Sequence, residues 1–176
     1  MEDLLRTYLH DHLGGSKFAI ELLEAMAERY RNHETGAFAA EIVNPIREDR
    51  STLEGIIDRV GRAPADFKDA AGWLAEKMSR SKLQENDPEG FGPFQALEAL
   101  SLGVLGKRAL WRALAVAAAS DPRVAGYDHA ALAGRAEEQF TRVEAYRLRL
   151  AQTALMAPSL VPDRLEEAGC DPSPRP

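Results

Sequence analysis

Two histidines that flank an aspartate are the first residues of this chain that could perform chemistry. His10, Asp11 and His12 stand next to one another, shortly before Gly14 and Gly15. Imidazole and carboxylate groups can bind metals or move protons. Adjacent residues on a helix point in different directions, so a helical segment would not direct all three side chains at one ion. The apolar spacing that follows predicts that His12 faces the core and His10 faces solvent.

Further polar residues recur near the middle of apolar helical stripes, and Asp49 is the most informative of them. A polar group among apolar ones is costly unless it is hydrogen-bonded, so these residues should meet in one layer. A buried carboxylate needs a cation, and Lys107 or Arg108 is the expected partner of Asp49. The alternative is that both cations extend into solvent and that Asp49 is hydrated beside Pro45. The predicted polar layer comprises His12, Ser16, Asp49, Ser101, Lys107, Arg108 and Gln139.

The elements that would position this layer are helices, because four long segments show helical periodicity and none shows sustained strand-like alternation. A short amphipathic helix is also predicted within residues 62–93, where Trp73 falls off the apolar stripe and suggests a dimer contact. On the third long helix, the residues expected to point inward are Leu97, Leu100, Val104, Trp111, Ala115 and Ala118. The long helices are predicted at about Glu2–Arg31, Ala37–Val60, Phe94–Ser120 and from the N-cap Asp128 to about Met156.

The connections between these helices predict an all-α four-helix bundle. Short turns make the first and second helices, and the third and fourth, antiparallel hairpins. A connection of some thirty residues between the hairpins allows the second and third helices to run parallel, as in a bundle with one long crossover. The bundle would occupy residues 1–156, and residues 157–176 form a proline-rich tail that holds the single cysteine, Cys170. One cysteine excludes a disulfide framework.

Composition excludes several classes of function. The net charge of −6 is unlike that of a nucleic-acid-binding protein, which needs a clustered basic excess. No apolar run is long enough to span a membrane, and the charged N-terminus does not resemble a secretory signal, so a cytoplasmic location is expected. The sequence has no phosphate-binding loop, nucleophile elbow, metalloprotease motif or dinucleotide fingerprint.

Four stretches, one in each long helix, carry a resemblance to a known family: YLHDHLGGSKFAIELL, IREDRSTLEGIIDRVG, LEALSLGVLGKRALW and RAEEQFTRVEAYRLRLA. They resemble the ferritin-like superfamily, in particular its small stress-associated bacterial bundles and related uncharacterised members. The resemblance implies a ferritin-like four-helix bundle. In metal-binding members, one helix of each hairpin gives an inward Glu and the other gives Glu-x-x-His.

This chain departs from that metal-binding pattern. None of its four histidines has a glutamate three positions earlier; those positions hold Thr7, Leu9, Tyr30 and Gly126. By the resemblance, the metal ligands are replaced by Ser16 on the first helix, by Ile46 and Asp49 on the second, and by Arg135 and Gln139 on the fourth. On the third helix the nearest carboxylate is Glu98. We therefore expect no metal and no other cofactor; if a single ion does bind, the candidate ligands are His12, Asp49 and Glu98.

Three functions remain open from the sequence. The first is a structural or protein-interaction module without metal, which is expected to form a homodimer and is not expected to be an enzyme. The second is a degenerate metal-binding oxidoreductase or metal store. The third is a binder of a small molecule in the bundle interior, which requires a cavity of roughly a few hundred Å³ at the polar layer.

Overall fold

The computed structural model describes residues 3–61 and 87–156. These ranges contain four long helices and no strand, which confirms the all-α prediction. The short helix predicted within 62–86, with Trp73, and the tail 157–176, with Cys170, lie outside the described residues. The helices are α1 (Leu4–Arg29), α2 (Glu34–Val60), α3 (Phe91–Ala117) and α4 (His129–Ala154).

The helix ends differ from the predicted ones because of local capping. The helix α2 begins three residues early because the Nδ1 of His33 accepts the Thr35 amide N–H at 3.2 Å, a capping role that histidine seldom fills. Both ends of α3 are three residues earlier than predicted, and Pro93 lies in its first turn, where a missing N–H removes no helical hydrogen bond. The predicted N-cap of α4 is confirmed, since the Asp128 carboxylate accepts the Ala131 amide N–H at 2.9 Å.

The prediction of which residues of α3 face inward is only partly correct. Leu110, Trp111 and Leu114 are buried, whereas Ala115 is exposed and Ala118 is half-buried. This helix is apolar on most of its circumference, so its periodicity alone does not define which side faces the core. Even so, no helix in residues 3–61 and 87–156 has an apolar stretch long enough to cross a membrane.

A ladder of ion pairs shows that α2 and α4 run in opposite directions. The acidic members are seven residues apart on α2, and their basic partners are seven residues apart in the reverse order on α4, so the two helices are antiparallel. These side chains are largely exposed, and such pairs contribute little to stability. The pairs are Glu34–Arg149 at 2.7 Å, Glu41–Arg142 at 2.6 Å and Glu48–Arg135 at 4.0 Å.

Buried hydroxyl groups join three helix ends at one end of the bundle. The Thr35 hydroxyl, at the start of α2, donates to the Pro88 carbonyl at 2.8 Å, just before α3. Its single hydrogen is then used, so the Tyr146 hydroxyl, near the end of α4, donates to it at 2.9 Å. The helices α2 and α3 therefore begin at the same end and run parallel.

The turn between α1 and α2 is closed by a glycine that allows two backbone segments to approach. A Cβ at Gly36 would lie 2.1 Å from the Tyr30 carbonyl oxygen.

We expect Gly36→Ala to lower the free energy of unfolding by at least about 1–3 kcal/mol, because the backbone must move. A matched control is Gly134→Ala on α4, where a Cβ meets nothing within 4 Å and better helix propensity adds up to about 1 kcal/mol. Urea unfolding measures both; a Gly36→Ala variant as stable as the parent would contradict this account.

Candidate functional site

The carboxylate of Asp49, on α2, lies at the centre of a buried ion cluster. This side chain is only 1% exposed. Its Oδ1 accepts an N–H from Arg135 at 2.6 Å. Its Oδ2 accepts from the Lys107 ammonium at 2.6 Å and from the Gln139 amide at 3.0 Å. Partners from α3 and α4 therefore surround one charge on α2.

The side chains of Lys107 and Gln139 also contact each other. The Lys107 ammonium donates to the Gln139 Oε1, which fixes the amide with its oxygen toward the lysine and its nitrogen toward Asp49. Burial of the ammonium lowers the pKa of Lys107, and the neighbouring Asp49 carboxylate opposes that shift. The cluster is thus a connected network in which each member restrains the next.

The partners of Asp49 are only partly those expected from the sequence. Of the two candidate cations, Lys107 contacts the carboxylate. Arg108 is not part of the cluster; it pairs with Glu137 near the surface, because consecutive residues project about 100° apart on a helix. The second cation is Arg135. The resemblance implied it only as the replacement for a metal ligand, and it was not predicted as a partner of Asp49.

Two predicted members of the layer, Ser16 and Ser101, are satisfied elsewhere. The Ser16 hydroxyl donates to the Leu13 carbonyl of its own helix at 2.7 Å, a local bond that serine commonly forms. The Ser101 hydroxyl donates to a Glu144 carboxylate oxygen at 3.0 Å, and Arg147 binds the same carboxylate. The predicted layer is therefore not one network, because of its seven members only Asp49, Lys107 and Gln139 contact one another.

His12 is the fourth predicted member that lies outside the cluster, after Arg108, Ser16 and Ser101. It is half-buried, and its ring meets the Tyr8 ring edge-on with centroids 4.8 Å apart. Burial lowers the pKa of His12, and the nearby charge of Asp11 opposes the shift. The imidazole is consequently neutral at neutral pH. It lines the cavity described below.

The side chains that could have bound a metal do not come together. In residues 3–61 and 87–156, no group of three or more His, Cys, Asp or Glu side chains could hold an ion. The set His12, Asp49 and Glu98 is therefore not assembled. Glu98 is exposed, and both oxygens of Asp49 accept hydrogen bonds from cationic or amide groups.

A cavity of about 190 Å³ lies between α1, α2 and α3, next to the ion cluster. Its wall is mostly apolar, and Lys107 and Asp49 form a polar corner together with His12 and Ser16. Trp111 also lines it, and the indole Nε1 is buried with no hydrogen-bond partner among the described residues. The main apolar side chains are Phe18, Ile46, Leu53, Leu100, Leu110 and Trp111.

Glycines from two helices border this cavity. Gly15 on α1 and Gly103 on α3 are exposed, and Gly106 is half-buried. A Cβ added at any of the three would meet nothing within 4 Å. The missing side chains therefore leave open space between α1 and α3, and nothing in the apolar pattern of the sequence had indicated it.

No protein-family model, curated protein or solved structure significantly matches this chain.

The pairing of Asp49 with Lys107 can be tested by a double-mutant cycle. We expect Asp49→Leu alone to lower the free energy of unfolding by about 3–5 kcal/mol, because it leaves the Lys107 ammonium buried without its counter-ion. Lys107→Met alone should cost less, since Arg135 still neutralises Asp49. The double variant should recover much of the loss, because two apolar groups can replace a buried ion pair at little cost.

Urea unfolding at neutral pH provides the four free energies for that cycle. Glu48→Gln is the control, because Glu48 adjoins Asp49 in sequence but is exposed and comes no closer than 4.0 Å to Arg135. Its effect on the free energy of unfolding should be below about 1 kcal/mol. Additive effects of Asp49→Leu and Lys107→Met would show that the two charges do not stabilise each other.

Proposed function

We propose that this protein is a metal-independent helical bundle that binds a small, largely apolar molecule in the cavity between α1 and α3. The observation that carries the proposal is the cavity itself, about 190 Å³ with an apolar wall and one polar corner. Binding sites for small molecules typically have such a lining, with few polar groups that fix orientation, but are larger, at about 300–1,000 Å³, so this cavity suits only a compact ligand. For scale, an engineered cavity of about 150 Å³ in another protein binds benzene.

The ion cluster supports binding without a metal. The residue best placed to ligate an ion, Asp49, is neutralised by Lys107 and Arg135. A divalent cation at this position would have to displace two positive charges. That arrangement disfavours the degenerate metalloenzyme or metal store.

The architecture is proposed to be ferritin-like. Two features support this: the two hairpins, and the parallel direction of α2 and α3. In ferritin-like proteins the two hairpins are joined by a single long crossover, which allows the second and third helices to run parallel. On this view the cluster around Asp49 stands where the metal-binding relatives keep their ions.

Cavity binding can be tested with benzene as the probe. At about ten times its dissociation constant, a ligand that binds only the folded state stabilises it by about 1.4 kcal/mol. We expect benzene to raise the midpoint of thermal unfolding of the parent protein. Gly103→Leu should abolish the rise, because the new side chain enters the open space beside the cavity.

The matched control is Gly134→Leu, at an open position on α4 that does not line the cavity; this variant should respond to benzene like the parent. Methyl shifts of Leu100 and Leu110 in NMR spectra would locate the probe. No response of the parent, or an equal response in Gly103→Leu, would contradict the proposed function.

A second candidate is an interaction module that forms a homodimer, and the outer face of α3 favours it. The positions at alternating steps of three and four from Leu102 to Val116 are apolar except for Arg112, although the face is not packed in the core. Leu102 is 65% exposed and Val116 is 77% exposed. The apolar members of this face are Leu102, Leu105, Ala109 and Val116.

Charge complementarity makes a second copy of the chain a suitable partner for this face. Glu98 and Arg112 also lie on it, seven residues before and seven residues after Leu105, and both are exposed. If two copies cross antiparallel at Leu105, the two-fold axis places Glu98 of each copy near Arg112 of the other. Such a self-complementary contact is the usual basis of a homodimer.

Analytical ultracentrifugation tests the dimer. We expect the parent protein to sediment as a concentration-dependent dimer and Leu102→Glu to remain a monomer, because a charge in an apolar seam is poorly tolerated. Leu148→Glu is the matched control, since Leu148 is exposed on α4, away from this face. A monomeric parent at micromolar concentration, or dissociation by both substitutions alike, would rule out the α3 face as the interface.

A further inference from the structure

The polar corner of the cavity offers a hydrogen-bond donor and no free acceptor at the cluster. A lysine ammonium has three N–H groups. Two of those of Lys107 are directed at Asp49 and Gln139, and among the described residues no third acceptor contacts it. The cavity, which Lys107 lines, is where a third acceptor could stand.

The Ser16 hydroxyl, which donates to the Leu13 carbonyl, and the His12 ring keep acceptor atoms at this corner, but neither belongs to the cluster. Within the cluster, both oxygens of Asp49 already accept hydrogen bonds: Oδ1 from Arg135, and Oδ2 from Lys107 and Gln139. A ligand that presented only donors would therefore lack a partner in the cluster, whereas a ligand with an acceptor would not.

The charges at the corner lead to the same conclusion. Asp49 carries one negative charge against the positive charges of Lys107 and Arg135, both within 2.6 Å. Two further acids are exposed, so that solvent screens their charges: Glu48, which is 4.0 Å from Arg135 and 70% exposed, and Asp11, which lines the cavity. Arg50, which also lines the cavity, is paired with Glu54. The buried side of the cluster thus has an excess positive charge, and Lys107, only 14% exposed, presents it to the cavity.

We infer that the ligand of this cavity is a compact apolar acid, with one aromatic ring or a hydrocarbon group of similar size and a carboxylate that accepts a hydrogen bond from Lys107. The inference rests on the proposed function and specifies its ligand class. The apolar wall holds the ring, and the size of the cavity restricts the ligand to about one ring, given that about 150 Å³ is sufficient for benzene. The carboxylate replaces solvent as the third partner of the ammonium.

The test compares benzoate, benzene and benzylammonium as probes of the full-length protein, by calorimetry at neutral pH. We expect benzoate to bind at least about tenfold more tightly than benzene, since hydrogen bonds between ionised groups are the stronger class. Benzylammonium should bind more weakly than benzene, because its cation meets the excess positive charge. These comparisons need no variant.

Variants then assign the preference to Lys107. Lys107→Met should remove the preference for benzoate and leave benzene binding, and the double variant Asp49→Leu/Lys107→Met provides the same readout if the single variant is poorly folded. Lys17→Met is the matched control, at an exposed lysine of α1 that pairs with Glu21, and it should retain the full preference.

The outcomes separate this inference from the proposed function. If benzene binds and benzoate binds no more tightly, the acid is the wrong ligand class and the cavity function stands. If the preference persists without Lys107, another group recognises the carboxylate and the inference is wrong. If none of the probes binds, the cavity function fails and this inference fails with it.

Discussion

The burial of one carboxylate, that of Asp49, is the constraint on which the rest of this bundle depends. Removing a charge from water costs several kcal/mol even after the protein relaxes, and the cost is offset only when geometry and hydrogen bonds are favourable. Here the offsetting groups come from α3, with Lys107, and from α4, with Arg135 and Gln139. A shift of any of these helices by one residue would turn a partner about 100° away. The cluster therefore fixes the register of the two hairpins, a task that α3, which is apolar on most of its circumference, could not perform by packing alone.

The helix that contributes nothing to the cluster is α1, and the cavity lies on its side. At this level α1 has Gly15 and Ser16 in place of larger side chains, and α3 faces it with Gly103 and Gly106. Small residues on both helices leave a gap that the neighbouring large side chains do not fill. The ion cluster forms the polar end of that gap because Lys107 extends between the two. Structure and proposed function thus share one residue, which both neutralises Asp49 and borders the cavity.

The sequence was sufficient for the helices and for part of the cluster. Helical periodicity depends on which side chains must leave water, so it located the four long helices that the structure describes in residues 3–61 and 87–156, and it placed Asp49 inside. The need to neutralise a buried acid then indicated Lys107. The same reasoning missed Arg135, because projection onto a helix follows the direction of the Cβ, whereas a long arginine reaches inward from a position that leaves it 43% exposed.

The remaining errors also have physical causes. Ser16 and Ser101 were expected in the layer because they lie near apolar faces, but a hydroxyl can be satisfied by its own helix or by a nearby carboxylate. The helix ends depended on the cap at His33 and on Pro93, whose effects are local. The cavity could not be predicted, because it results from the absence of side chains at residues that are distant in sequence. From the sequence alone, a glycine within a helix indicates only a residue of weak helix propensity.

These helical glycines have a consequence for the balance between stability and function. Each lowers helix stability by about 1 kcal/mol relative to alanine, and at Gly15, Gly103 and Gly106 an added methyl group would meet no atom within 4 Å. Alanine at these three positions would therefore make the isolated bundle more stable without any steric conflict. Gly36 is the opposite case, where the backbone leaves no room for a side chain. Gly134 on α4 is a further helical glycine with open space around it, but it lies away from the cavity. The three glycines around the cavity have the character of a site kept open at the expense of stability, because activity and stability commonly oppose each other.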